Sequence, residues 1–238
     1  MIKKGLSFLK PFFMLRNQMK REIIITNDGS TTIRIPEWDE NYHSTHGAIQ
    51  EAKHVFIKNG LDLFQNQDAI SILEIGFGTG LNAFITFLET LNKEKVNYVG
   101  VEAYPISADE VLNMNYVAEL DAMQESAIFN KMHESDWGEK IVLNDDFVLT
   151  KRKQFFEEID DENKFDLVYF DAFGYRVQPE LWSTAIFDKM YKSLKMNGVL
   201  VTYAARGIVK RNMIEVGFKV EKLEGPPGKR EMFRARKL

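Results

Sequence analysis

From residue 69 to the end of the chain, short apolar runs rich in β-branched residues alternate with stretches of helical spacing. The strand candidates are residues 70–75, 96–102, 140–144, 165–170, 198–203, 217–223 and 231–236. Helices are read between them at 80–92, 106–131, 150–159, 179–194 and 206–215. Continuous apolar runs belong to strands buried on both faces, and strands separated by helices pair in parallel through crossovers. The pattern therefore predicts an α/β fold, a mostly parallel seven-stranded sheet covered by helices. Between the last two strand candidates stands only Gly225-Pro-Pro-Gly-Lys. That is too short for a crossover, so the final strand is expected to run antiparallel.

Ahead of this pattern, residues 22–35 read as a hairpin, with Ile23-Ile-Ile-Thr and Thr31-Thr-Ile-Arg-Ile joined by Asn27-Asp-Gly-Ser. Helical spacing follows over 48–63, with Ala48, Ala52, Val55, Phe56 and Leu63 apolar. We read 19–66 as an N-terminal hairpin and helix packing on a main domain, 67–238. In the first 18 residues basic positions precede apolar ones, as in a secretion signal. Lys10, Pro11 and Arg16 interrupt the apolar part, however, and no small-residue cleavage site follows. The plainer reading is an extension upstream of a start at Met19.

With 238 residues and 45% hydrophobic content, the chain can bury a core without covalent staples. It contains no cysteine. That excludes disulfides, thiolate nucleophiles and Cys-ligated zinc, and it fits a reducing cytoplasm. No apolar run approaches the roughly 18 residues of a membrane span. His43 and His46 lack the spacing and acidic company of metal ligands, so no metal is expected. Net charge is −4, yet from Arg206 onward ten Lys/Arg face four Asp/Glu. That basic end is either a phosphate-binding face or ordinary solvated surface, and charge alone leaves both open.

Ile72-Leu-Glu-Ile-Gly-Phe-Gly-Thr-Gly-Leu81 is a strand, three glycines at alternate positions, then a helix. Glycines let the backbone turn sharply and approach a ligand, and the helix N-terminus offers free N–H groups. The spacing differs from the G-x-G-x-x-G of dinucleotide binders. Glu74 before the first glycine would repel a pyrophosphate but suits a cation or an amino group. The ammonium and sulfonium of S-adenosylmethionine match that sign better than NAD does. Glu102 ends the second strand, where a carboxylate can accept ribose hydroxyls. Asp145 and Asp146 end the expected third strand, where one can take an adenine amino group. The cofactor-binding candidates are Glu74, Gly76, Phe77, Gly78, Gly80, Asn82, Glu102, Asp145, Asp146 and Asp171.

These stretches, together with others, resemble a specific family. The segments are Asn41-Tyr-His-Ser, Glu74-Ile-Gly-Phe-Gly-Thr-Gly-Leu-Asn82, Asp171-Ala-Phe, Pro179-Glu-Leu-Trp182, Thr202-Tyr-Ala-Ala-Arg-Gly-Ile-Val-Lys-Arg211 and Gly225-Pro-Pro-Gly-Lys-Arg-Glu-Met232. They resemble the methyltransferases that complete 5-methylaminomethyl-(2-thio)uridine at the tRNA wobble position, also found as one half of a bifunctional protein. The resemblance runs from about Met19 to the C-terminus. It implies a Rossmann-like class I S-adenosylmethionine-dependent methyltransferase that acts on the tRNA anticodon loop in the cytoplasm. The loop Gly174-Tyr-Arg-Val-Gln178 departs from the bifunctional form, and the methyl-transfer step alone is expected of these residues.

The resemblance also implies that Asp171, at the end of the fourth strand, faces the exocyclic amine of a flipped base. An alkyl ammonium has a pKa of about 10 and no lone pair until it loses a proton. A carboxylate with a reference pKa of about 3.9 is a poor acceptor for that proton. This argument favours Asp171 as a group that orients the amine over one that acts as its base. Tyr42 and Phe173 are candidate walls for the base, while Trp182 reads as core. Lys210, Arg211, Lys229 and Arg230 are the candidate phosphate contacts. Methylation of another amine, in a small molecule or protein, and a non-catalytic S-adenosylmethionine- or RNA-binding module are the alternatives. The intact Glu74, Gly76, Gly78, Glu102 and Asp171 argue against the last.

Overall fold

The computed structural model describes residues 20–91, 93 and 95–238. The expected extension 1–18 and the start at Met19 lie outside the described residues. The N-terminal hairpin forms as read, with β1 (Glu22–Ile25) antiparallel to β2 (Thr31–Ile35), and a short β3 (Glu40–Asn41) extends it to three strands. Asp28 organises the turn, accepting from the Thr26 and Ser30 hydroxyls and from the backbone of Ser30 and Gln50. The expected helix over 48–63 is shorter and composite. It comprises α1 (Ala48–Ala52), a π-helical continuation (Lys53–Lys58) and a separate 3-10 turn (Leu61–Phe64).

The main sheet has eight strands among the described residues. They are β4 (Ala69–Ile75), β5 (Lys95–Glu102), β6 (Lys140–Val142), β7 (Phe147–Lys153), β8 (Phe165–Phe170), β9 (Leu194–Thr202), β10 (Lys219–Glu224) and β11 (Glu231–Arg236), in the order β10-β11-β9-β8-β4-β5-β7-β6. Strands β9, β8, β4, β5 and β7 are mutually parallel. β11 runs antiparallel to both β9 and β10, as the short Gly-Pro-Pro-Gly-Lys connection requires. The helices are α2 (Leu81–Glu89), α3 (Ala108–Leu112), α4 (Tyr116–Glu119), α5 (Ser126–Glu134), α6 (Thr184–Ser193) and α7 (Gly207–Glu215).

Two readings are corrected here. The expected long helix over 106–131 is three short ones, with a break at 113–115 and a second where Asp121 takes a left-handed conformation, φ 52°. The third parallel strand is β7, not 140–144, and it occupies part of the stretch read as a helix over 150–159. β6 is only an antiparallel edge strand paired with β7. Burial alternates along β7, which is the period of a strand, but one inward position is Lys151, only 2% exposed. Its ammonium donates to the His133 carbonyl at 3.0 Å and lies 5.0 Å from the Trp137 ring centroid. A buried lysine inside Lys151-Arg-Lys hides the alternation.

Successive strand residues point to opposite faces. Ile72, Leu167 and Val199 join one core cluster with Phe84, Phe87, Tyr98, Phe147 and Tyr169, beneath α1 and α2. Leu73, Val168 and Leu200 join the other with Phe187, Met190 and Met213, beneath α6 and α7. From β4 the chain moves outward through β5 to β7, then returns to the other flank of β4 as β8. The order therefore reverses between β4 and β8, and the crevice at their carboxyl ends is where such sheets take ligands.

Candidate active site

Register brings the two halves of this crevice together. Ile75 pairs with Phe170, so Gly76 and Asp171 emerge side by side. A Cβ on Gly76 would lie 2.6 Å from the Asp171 carbonyl oxygen, so only glycine lets the chains approach. Gly76, Gly78 and Gly80 all take positive φ, 90°, 50° and 73°, a conformation glycine adopts without strain. The Gly76 and Phe77 amides both donate to the Val101 carbonyl, which folds the loop over the end of β5.

The resulting cleft opens at the carboxyl ends of β4, β5 and β8. Its floor includes Gly76, Gly78, Asn82, Glu102 and Asp171. Glu102 accepts from the Gly78 amide at 3.1 Å and the Tyr104 amide at 2.9 Å, so its carboxylate is held in place at the strand end. Phe77 lines the cleft, but its ring is buried against Gly100, where a Cβ would meet it at 2.3 Å. That side chain is core and only its backbone serves the loop.

The centre of the site is an amide between two carboxylates. Asn82, in the first turn of α2, donates from Nδ2 to Glu74 at 2.9 Å and to Asp171 at 2.9 Å. Both amide hydrogens are thus used, and Oδ1 is left buried with no hydrogen-bond partner. Glu74 has no exposed surface. Burial pushes its carboxyl well above the usual range, and the nearby Asp171 adds to the effect. The Tyr98 hydroxyl is close enough to bear on that ionisation, though no hydrogen bond of ordinary geometry joins it to Glu74. Glu74 therefore faces Asn82 and does not line the cleft. Asp171 keeps a little surface toward the cleft. Burial first, and then the Glu51 carboxylate, push it up to about 7, against the opposing pull of Asn82 and Lys229.

One carboxylate assignment moves. Asp145 and Asp146 were expected at the carboxyl end of the third strand, but that strand is β7 and they precede it. The Asp146 carbonyl accepts from the Val96 amide at the start of β5, at the far edge of the sheet from the cleft. The acid in the loop after β7 that lines the cleft is Glu157, beside Phe155 and Phe156. Sequence reasoning missed it because the strand before it was read as a helix.

The N-terminal sheet closes the cleft. Tyr42 and Trp38 meet Phe173 edge-on, with ring centroids 5.0 and 5.6 Å apart, and form an aromatic wall over Asp171. Trp38 was not among the expected residues. Asn41, beside Tyr42, points a buried, unpartnered Oδ1 into this region. His43 is a tie rather than a ligand, bonded through Nδ1 to Thr32 at 2.9 Å and lowered to about 4 by burial. Trp182 is buried, as read, and its indole donates to the Phe173 carbonyl at 2.8 Å.

The basic candidates separate. Lys229 turns inward to pair with the buried Glu51, and its ammonium lies 3.8 Å from the Tyr203 ring centroid. Arg230 stays 94% exposed. Lys210 and Arg211 sit on α7 and do not line the cleft.

Residues 120–238, half of the chain, match the family model described as S-adenosyl-L-methionine-dependent methyltransferase. The chain belongs to this family. Its members use S-adenosylmethionine, and the site fits that group. Three glycines leave room for a ligand at the helix start, and Asn82 Oδ1 is an acceptor still needing a donor. Among curated proteins, the chain is 30% identical over 220 residues to the tRNA 5-methylaminomethyl-2-thiouridine biosynthesis bifunctional protein MnmC of Burkholderia multivorans. The match covers 85% of this chain and 33% of that protein. The protein of the same description from Campylobacter fetus is 28% identical over 213 residues, covering 84% and 33%. The chain thus spans about a third of the length of these relatives. Of solved structures, MNMC2 from Aquifex aeolicus is similar at a TM-score of 0.71 and 23% identity, covering 98% of this chain and 78% of that one. Spermidine synthase from Thermotoga maritima gives 0.57 at 15% identity, covering 100% and 72%. Both share the Rossmann-like fold. Among the described residues no helix is long and apolar enough to cross a membrane, and no three His, Asp or Glu side chains cluster as metal ligands.

Proposed function

We propose that this methyltransferase converts 5-aminomethyl-(2-thio)uridine to its 5-methylaminomethyl form at the tRNA wobble position, in the cytoplasm. The observation that carries the reading is Asp171, held by Asn82 at the floor of an aromatic-walled cleft and raised to about 7. When bound, S-adenosylmethionine supplies an electrophilic methyl group. The protein's part is to present a neutral amine to it.

The raised Asp171 changes the balance struck from reference values. Taking a proton from an ammonium of pKa about 10 onto a carboxylate at 3.9 is uphill by about 8 kcal/mol, whereas onto a group near 7 it is uphill by about 4. Asp171 is therefore both the acceptor that orients the amine and the base that removes its proton. Tyr42 and Phe173 offer aromatic surface to the flipped base, as unstacked bases require. Glu102 suits the ribose hydroxyls of the cofactor, and Glu157 suits its adenine amino group in place of Asp145 and Asp146.

The test is nucleoside analysis of tRNA from a strain lacking the gene, with the purified chain added back. Accumulated 5-aminomethyl-uridine that the chain methylates in vitro is the expected result. An unchanged nucleoside profile eliminates the substrate.

A further inference from the structure

Beside the catalytic cleft lies a second, open groove, lined by three loops and by Glu40 of β3. Tyr175 comes from the loop after β8, Arg206 from the loop after β9, and Arg230 from the β10–β11 turn. Tyr203 lines both the groove and the cleft, and its hydroxyl donates to the Ala172 carbonyl next to Asp171. The groove is therefore continuous with the reaction site.

Its charges are not equivalent. Lys229 is committed to Glu51, and Arg176 to Glu40 at 3.1 Å and to the carbonyls of Trp38 and Asp39. Glu231 is shared with Lys222 at 3.2 Å. Arg206 makes no ion pair among the described residues, and its guanidinium lies 5.6 Å from the Tyr175 ring centroid. Arg230 is almost fully exposed, with only a 4.0 Å approach to Glu231. Two cations, one of them over the Tyr175 ring, are thus left without an ion-pair partner closer than 4.0 Å, in a trough beside the methyl-transfer site.

We propose that this groove binds the RNA strand next to the target nucleotide, with Arg206 and Arg230 on backbone phosphate and Tyr175 flanking an adjacent base. Arginine forks suit phosphate oxygens, and stacking on an aromatic or guanidinium plane suits an unpaired base. The phosphate contacts thereby pass from Lys229, Lys210 and Arg211 to Arg206 and Arg230. The inference rests on the tRNA reading above.

The experiment compares the wild-type chain, Arg206→Ala/Arg230→Ala, Arg206→Lys/Arg230→Lys and the far-edge control Lys140→Ala. The probe is tRNA purified from the deletion strain. Both arginines are exposed, and thermal unfolding together with S-adenosylmethionine calorimetry verifies that each variant folds and binds cofactor. The alanine pair is expected to raise KM for tRNA about tenfold or more and leave kcat within about twofold. It should also reduce the salt slope of binding by about 1.4, the value for two lost single-strand phosphate contacts. The lysine pair should recover most of the affinity, and Lys140→Ala should match wild type. Unchanged KM and salt slope in the alanine pair, with wild type active on tRNA, overturns the groove alone. A wild-type chain that neither binds nor methylates tRNA overturns the substrate reading and the groove with it.

Discussion

Asp161 and Asp171 stand on either side of β8, and they show how one residue type is put to two uses. Asp161 is 3% exposed and receives Arg152 at 2.5 Å and Lys164 at 2.7 Å. Burial alone would raise its pKa, but the hydrogen bonds and charges of these two cations outweigh it and hold the carboxyl below the usual range. Asp171 keeps some surface toward the cleft but receives one neutral amide, with the Glu51 carboxylate nearby, and rises to about 7. The lesson is that burial does not set the charge of a carboxylate; the company does. Two cations hold Asp161 toward its charged form, whereas burial holds Asp171 toward its neutral one.

The sharpest way to break this comparison is to remove each carboxylate. Asp171→Asn should lower kcat by about 10^3-fold, within the range attributed to a positioned acid or base, with cofactor affinity by calorimetry nearly unchanged. Full activity in that variant ends the catalytic assignment. Asp161→Ala should leave kcat near wild type but cost about 2 kcal/mol in denaturant unfolding. This is less than for a fully buried pair, because Arg152 and Lys164 keep access to water.

Stability against pH should then slope in opposite directions at the two sites. Asp171 has a folded pKa above its unfolded one, so the folded state holds the extra proton between about 4 and 7. Its contribution to stability falls as pH rises through that window. Asp161 has a depressed folded pKa, so its contribution is present above the unfolded value of about 3.9 and is lost as pH falls through the folded one. Relative to wild type, Asp171→Asn should gain stability from pH 4 to pH 7. Asp161→Asn should lose its deficit only in acid. Parallel curves would refute the contrast.

The smallest expected effect is on the pH profile of turnover. The acid limb of kcat/KM should report Asp171 in the free protein, near 7. Asn82→Ala removes a hydrogen bond that favours the carboxylate, so the limb should move to higher pH. A limb that does not move would show that Asn82 holds geometry alone.

Much of this site was legible because its signals are local. The three glycines, Glu102 at a strand end and the limits of β8 all lie within short stretches whose residue types dictate them. Trp182 was legible as core by its place after Pro179. Asp145, Asp146 and Glu157 were not, because Lys151 occupies a buried strand position and made β7 read as a helix. Lys229 was not legible either, since its partner Glu51 lies 178 residues away.

By itself the sequence determined the α/β order, the glycine turn, the reversed last strand and the aspartate that ends β8 at the cleft. Each follows from periodicity, backbone freedom or loop length, which act over a few residues. Only the tertiary structure decided the charge states. The pairing of Asn82 with Glu74 and Asp171, the capture of Lys229 by Glu51 and the freedom of Arg206 depend on contacts between distant elements. Desolvation and charge act through space, and a one-dimensional order does not record which groups meet there.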